Sequence, residues 1–533
     1  MRLRYSAWDN GRRVTNGDNE FIRAIAGLKG RMGAWDYDTA ILHSETTLEQ
    51  QRKGFFRYSI LKDALGNPAS PYFPYRIGVN SNLNPASLYA AMSPTIKSDA
   101  TSKMQLIDFR ASRDLMKLDG GPMSVALGAE YRREETSLTP TTYTDTGDIL
   151  GLGYSAYNGK RNITAAYAEL LAPVTRMVEL SASLRADKYS TYGNSTTPKL
   201  GVKFTPVRQL ALRGTYAEGF RAPNAAEAGT GGLAAFTTAS DPVRCPGGNP
   251  APGATAADCA RQVAIITTPD PNLKPEESKG YTLGAVWDPL PNTSVAVDIW
   301  EIKRSNEINQ TTVQQALVNG SPVTRQDDNL PGIPNSGTLL AVTAPYVNSA
   351  STKVNGWDVD VRQRFNMGEY GRLTLELRWS RLSKLLRTDK DGTQIEFAGT
   401  HGNCDVTNCI GTPKDKANFI ATWDQGNWRV AGIVNYRGAM SNKYTAQDES
   451  CAYTFADGSD APNGCKIPSF WTLDVSARWQ MEKNLQVFGS IQNLTDKVAP
   501  LDPTTYGALS FNPLDISGAV GRFYNIGVRY QFK

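Results

Sequence analysis

The chain has 533 residues, a length at which a soluble protein usually divides into about three or four domains, whereas a barrel can use it all in one closed sheet. It carries 57 basic and 52 acidic residues, a net charge of +5 with no basic block, which argues against a nucleic-acid partner. Mean hydropathy is −0.40, and no apolar run approaches the roughly 20 residues of a membrane helix; this excludes a helical membrane protein but not a membrane barrel.

The chain opens Met1-Arg2-Leu3-Arg4-Tyr5-Ser6-Ala7-Trp8, without the apolar core of an export signal, so the natural start is expected upstream. Strands are predicted near 1–9, 20–30, 34–52, 101–117, 121–138 and 157–173. They continue near 176–189, 195–205, 208–218, 274–288, 292–304 and 351–366, then 370–387, 412–424, 427–438, 468–480, 483–493 and 521–532. The signal is a period of two. Leu373, Leu375, Leu377 and Trp379 alternate with Arg372, Thr374, Glu376, Arg378 and Ser380, and Trp471, Leu473, Val475, Ala477 and Trp479 repeat the pattern. Successive strand side chains point to opposite faces, so one face is apolar and the other suits water.

A soluble antiparallel sheet alternates in the same way. Three features favour a membrane barrel. Short links, such as Arg31–Gly33, Asp119–Pro122, Pro289–Asn292 and Asp424–Gly426, alternate with long ones at 53–100, 219–273, 305–350, 388–411, 439–467 and 494–520. Aromatics gather at strand ends, at Trp287, Trp379, Trp428, Tyr436, Trp471 and Trp479, where an amphipathic ring suits the membrane interface. The last strand sets Tyr524, Ile526, Val528, Tyr530 and Phe532 against Asn525, Gly527, Arg529 and Gln531. The fold expected is all-β: an antiparallel up-and-down transmembrane barrel of about eighteen sequentially paired strands, both ends on one side.

The cysteines fall as three close pairs, Cys245 with Cys259, Cys404 with Cys409 and Cys451 with Cys465, which read as local loop disulfides of an oxidising compartment, the pairing itself left open. There is no CxxC and the only histidines are His43 and His401, so neither a metal site nor a cofactor is expected. Loop 388–411 holds Asp389-Lys390-Asp391-Gly392, read as a turn rather than a calcium loop. Segment 311–319 reads as a short helix. No nucleophile elbow, HExxH helix or phosphate loop appears, and no enzymatic chemistry is expected.

Several segments resemble the barrel of TonB-dependent receptors. Gly219-Phe220-Arg221-Ala222-Pro223 is similar to the family's "GFRAP" strand end, and Asn272-Leu273-Lys274-Pro275-Glu276 to its "NLKPE" entry to the next strand. Asn493-Leu494-Thr495-Asp496-Lys497 is similar to its "NLxDK" segment, and the aromatic final strand to the signal read by the barrel assembly machinery. These residues are read as structural before they are read as ligand contacts. Pro223 removes a strand donor, Arg221 has an acidic loop residue or the lumen open to it, Glu276 or Glu277 would take loop donors, and Asn493 and Asp496 suit a turn.

The resemblance implies a barrel of about twenty-two strands filled by an N-terminal plug. On that basis residues 1–533 are expected to be a truncated barrel, with plug, signal peptide and first strands upstream. It further implies a monomer in the outer membrane of a Gram-negative bacterium. The partners would be outer-membrane lipid, an extracellular ligand gripped by the long loops, and TonB through the plug. The ligand classes are siderophore, cobalamin, carbohydrate or peptide. The alternatives are a passive porin-like pore or a non-functional fragment.

Overall fold

A computed structural model describes residues 5–401, 411–442, 459, 466–502 and 520–532. The chain rises and falls through β1 (Val14–Met32), β2 (Trp35–Lys53), β3 (Ile96–Leu118), β4 (Gly121–Leu138), β5 (Ser155–Pro173), β6 (Val178–Tyr189), β7 (Gly193–Val207) and β8 (Leu210–Arg221). It then forms β9 (Thr230–Ala239), β10 (Arg261–Thr268), β11 (Glu276–Trp287), β12 (Thr293–Gln310), β13 (Val323–Arg325), β14 (Leu339–Asn366), β15 (Arg372–Asp389) and β16 (Gln394–Glu396). β17 (Asp415–Gln425), β18 (Trp428–Arg437), β19 (Met440–Ser441), β20 (Lys466–Ile467), β21 (Phe470–Glu482), β22 (Leu485–Gln492) and β23 (Phe523–Tyr530) follow. Helices α1 (Tyr58–Gly66), α2 (Ala86–Met92), α3 (Ala225–Ala228) and α4 (Val313–Val318) all lie in the long links.

Among the described residues twenty-one strands form one sheet. Setting aside β9, β10, β13 and β16, which lie in the loops, seventeen form an antiparallel wall, each paired with the next wall strand along the chain. Among the described residues β1 pairs only with β2, and β23 only with β22. The period of two decides which side faces out. On β11 and β12 the apolar face carries Leu283 and Ile299, 68% and 61% exposed, while the opposite face carries charged pairs such as Asp298 of β12 with Arg213 of β8.

Two aromatic rungs mark the height of the apolar band. Trp428 of β18 faces Trp479 of β21 near the short turns, and eight residues higher Tyr436 faces Trp471. Eight residues span about 27 Å of strand, or about 20 Å of height at the usual tilt, close to the thickness of an outer-membrane apolar band.

The first expected strand, residues 1–9, is not a strand among the described residues. Residues 8–10 form one 3-10 turn, and the Asp9-Asn10-Gly11 sequence, with Gly11 at φ 81°, breaks extended pairing. The wall therefore has seventeen described strands rather than eighteen. β1 starts at the long-loop rim and β23 runs toward the short-turn rim, so the two ends of the wall lie on opposite sides. Pairing is also not wholly sequential. β9 pairs with the top of β5, and β10 runs parallel to residues 341–345 of β14. Periodicity along one strand carries no information about such a partner.

Candidate functional site

The long-loop rim is where the motifs converge. Arg221 ends β8 because the next residues, Ala222 and the buried Pro223, leave the strand. Its guanidinium grips two carboxylates, Glu276 at 2.7 and 2.8 Å and Glu227 at 2.9 and 3.0 Å. Glu227 belongs to α3, where it and Asn224 cap each other, and Glu276 also accepts the backbone N–H of Ile308 at 2.9 Å. The pieces of the first two motifs thus form one ion network joining β8, α3, β11 and β12. A planar, bidentate cation suits this position better than a point charge would.

The flanking motif residues are held by neighbours. A Cβ on Gly219 would lie 2.9 Å from Ser278 Oγ, and Phe220 stacks edge-on against Tyr189 at 5.9 Å. Asn272 donates to Asp270, Leu273 is 4% exposed, and Lys274, just before Pro275, exchanges two hydrogen bonds with Asn348. Arg161 donates to the carbonyl of Pro223 at 2.8 Å and pairs with Glu134.

Above this network the links 222–275 and 311–338 fold into a roof. β9 and β10 span from β5 to β14, over the tops of the strands between them. The roof has its own core, with Val263, Ala316, Leu339 and Val342 at most 2% exposed. Cys245 and Cys259 form a disulfide within it. Two buried ion pairs cross it, Arg325 with Asp241 at 2.6 Å and Arg244 with Asp258 at 3.0 Å. Burial pulls the Asp258 carboxyl up, but hydrogen bonds from Arg244 and Thr255 more than offset it, and it titrates below the ordinary carboxylate value.

The other outer links are tied in the same manner. Asp9 accepts the hydroxyls of Tyr5, Tyr75 and Tyr89 at 2.7 to 2.8 Å, holding α1 and α2 to the start of the chain. Burial raises its carboxyl, and these three donors bring it below the ordinary value. Asp148, although desolvated, is likewise held down by donors from Ser59 and Arg57. His401, Asn442 and Asp502, from three different links, meet in a buried cluster, with His401 Nδ1 2.8 Å and Asn442 Nδ2 2.7 Å from Asp502.

Asn493, at φ 49°, exchanges two hydrogen bonds with Lys497, while Leu494 donates to Leu473 and Asp496 accepts from Arg522. Asp389-Lys390-Asp391-Gly392 forms the turn between β15 and β16. Among the described residues no group of three or more His, Cys, Asp and Glu is placed to hold a metal ion.

On the final strand Tyr524, Ile526, Val528 and Tyr530 point outward, 50 to 85% exposed, and Phe532 follows beyond the strand. Cys404, Cys409, Cys451 and Cys465 lie outside the described residues. Sequence reasoning missed the roof strands, the two buried Arg–Asp pairs and the His401 cluster. The run Val263-Ala264-Ile265-Ile266 was a usable strand signal. These contacts join residues up to 101 positions apart and left no local trace.

The wall and its loops can now be set beside known proteins. The chain matches the family described as TonB dependent receptor-like, beta-barrel, over residues 2–494. Its fold is similar to the siderophore receptor PirA from Acinetobacter baumannii, at 15% identity and TM-score 0.59, covering 96% of this chain and 63% of that one. It is similar also to a mutant of the ferric enterobactin receptor PfeA from Pseudomonas aeruginosa, at 14% identity and TM-score 0.59, covering 96% and 62%. A third is the pyoverdine receptor FpvA from Pseudomonas aeruginosa PAO1, bound to pyoverdine, at 13% identity and TM-score 0.57, covering 97% and 62%. The chain thus spans less than two thirds of the length of these structures. No curated protein matches it in sequence. With its family match over residues 2–494, its wall of alternating short turns and long loops and its converging rim motifs, the chain belongs to the TonB-dependent receptor β-barrel family.

Proposed function

We propose that this chain is the wall and outer-loop portion of an outer-membrane receptor of a Gram-negative bacterium, which captures a scarce nutrient and admits it under TonB drive. The observation that carries the reading is the packed rim. A passive pore gains nothing from a roof with its own core, a disulfide and buried ion pairs, whereas a receptor needs loops pre-ordered around a ligand. By their titles the three neighbours named above are a siderophore receptor, a ferric enterobactin receptor and a pyoverdine receptor, which favours a ferric chelate over a cobalamin, sugar or peptide. The wall supplies insertion and the rim supplies capture, with energy coupling through TonB acting on a plug. We assign the outward aromatic stripe of β23 to recognition by the barrel assembly machinery. A monomer requires the edges of β1 and β23, which have no partner strand among the described residues, to be covered.

The test is accumulation of radioactive iron from a panel of ferric chelates by iron-starved cells, with and without the gene. The expected result is loss of uptake for one chelate, restored by the gene and abolished without TonB. Uptake of every chelate unchanged by deletion would sink the siderophore reading, and ion conductance by the intact purified protein in planar bilayers would favour the pore.

A further inference from the structure

One carboxylate of the outer links carries its charge without a counter-ion. Asp148 has Arg57 against it and Asp258 has Arg244, whereas among the described residues no cationic side chain is paired with Asp9. The charge is met by phenols instead. Tyr5 donates to Asp9 Oδ1 at 2.7 Å, and Tyr75 and Tyr89 donate to Oδ2 at 2.8 and 2.7 Å. Two carboxylate and three phenol oxygens thus converge from residues 5, 9, 75 and 89. A desolvated anion without a cation is costly, and neutral donors offset only part of that cost.

The spacing suits a coordination shell. A hard ion with bonds of about 2.0 Å holds neighbouring ligand oxygens about 2.8 Å apart, as these contacts already stand. Two of the phenol oxygens are also braced from behind. Tyr5 Oη accepts the backbone N–H of Gly78 at 3.2 Å, and Tyr89 Oη accepts from Asn84 Nδ2 at 3.0 Å. Asn84 is pinned in turn by hydrogen bonds of 2.9 and 2.7 Å with the backbone of Arg76. Donors so placed favour an oxygen that bears negative charge, and outer-shell contacts of this kind orient metal ligands. Tyr5 and Asp9 are half-buried and Tyr75 is buried, so the cluster has a wet end and a dry one. The phenols choose the ion. Burial first, and Asp9 with it, pushes all three hydroxyls above the ordinary phenol value, so each keeps its proton at neutral pH. Calcium and magnesium are too weakly polarising to displace those protons, while ferric ion, small, trivalent and hard, takes phenolate and carboxylate oxygen.

We propose that Tyr5, Asp9, Tyr75 and Tyr89 form an outer-link site that takes ferric ion directly onto the protein. The site rests on the ferric-chelate reading for the source of its ion. On binding, three phenol O–H bonds break, three iron–phenolate bonds form beside one to Asp9, and three protons pass to water. The iron stays ferric, and its remaining positions are left to the chelator that delivers it. The test titrates the intact purified protein in neutral detergent with ferric nitrilotriacetate and follows tyrosinate-to-iron charge-transfer absorption in the visible. The expected result is a band that saturates at about one ion per chain. It should be lost in Tyr75→Phe/Tyr89→Phe and in Asp9→Asn, which keeps a carbonyl oxygen for the phenol donors. It should be retained in Tyr58→Phe, an exposed tyrosine of α1 outside the cluster. No band in the unaltered protein would overturn the proposal without any variant having to fold. So would a band that persists in either cluster variant with its heat-modifiable barrel mobility intact. Chelate uptake is scored separately: a band in a protein that imports nothing would sink the uptake reading and leave this site standing, and import without a band would do the reverse.

Discussion

Arg221 shows how much one side chain settles at the rim. Removing it leaves Glu227 and Glu276, 10% and 12% exposed, without the cation they share. Arg221→Ala should therefore cost about 3 kcal/mol, seen as earlier urea unfolding in detergent and faster protease cutting near α3. Arg221→Lys should recover only part of this, because an ammonium cannot serve two carboxylates as forks. An unchanged unfolding midpoint for Arg221→Ala would show that the network is decorative. Gly128 is the opposite case, a residue needed for what it lacks. A Cβ there would sit 2.1 Å from the ring of Tyr167 on β5. Gly128→Val should lower stability by about 1–3 kcal/mol, and a second change, Tyr167→Ala, should relieve much of that penalty when both unfolding midpoints are compared. Arg221 was legible from its motif. Gly128 was not, since the ring that excludes a side chain belongs to another strand.

At the scale of elements, the roof and the wall are held by different means. Wall strands are fixed by ladders of backbone hydrogen bonds along their full length. The roof hairpin has short ladders, a small core and the Cys245–Cys259 link, which closes a separation of 14 residues. Such a closure is worth about 3 kcal/mol in the chain-entropy account. The double change Cys245→Ser with Cys259→Ser should therefore speed proteolysis within 222–275 while leaving the global unfolding of the wall in place. Equal loss of both would mean that roof and wall unfold as one unit. The expected helix over 311–319 appears as α4, whose Thr312 and Gln315 form a capping box that can be read from sequence. The helices α1 and α2 were not anticipated. Neither carries a side-chain cap, and their apolar face is set by packing on Tyr75 and Phe56.

For the whole molecule, pH should separate the rim from the wall. Asp9, Asp148 and Asp258 are all depressed below the ordinary carboxylate value, in three different outer links. A depressed group adds stability that is fully present above its unfolded value, near about 4, and is lost as pH falls through its lower folded value. Hydrogen exchange should thus show the outer links opening in acid below about pH 4 while the strand ladders stay protected. Simultaneous opening of wall and links would contradict this division.

The sequence by itself determined the wall: the period of two, the alternation of short turns with long links, and the aromatic rungs. Each is a local consequence of strands that meet lipid on one face and water on the other. Only the tertiary structure decided what the long links build. The roof pairing, the reach of Arg221 to Glu276 and the His401–Asp502 contact across 101 positions all join residues distant in the chain. Their geometry depends on strand register, and register is a property of neighbouring strands that no single strand records.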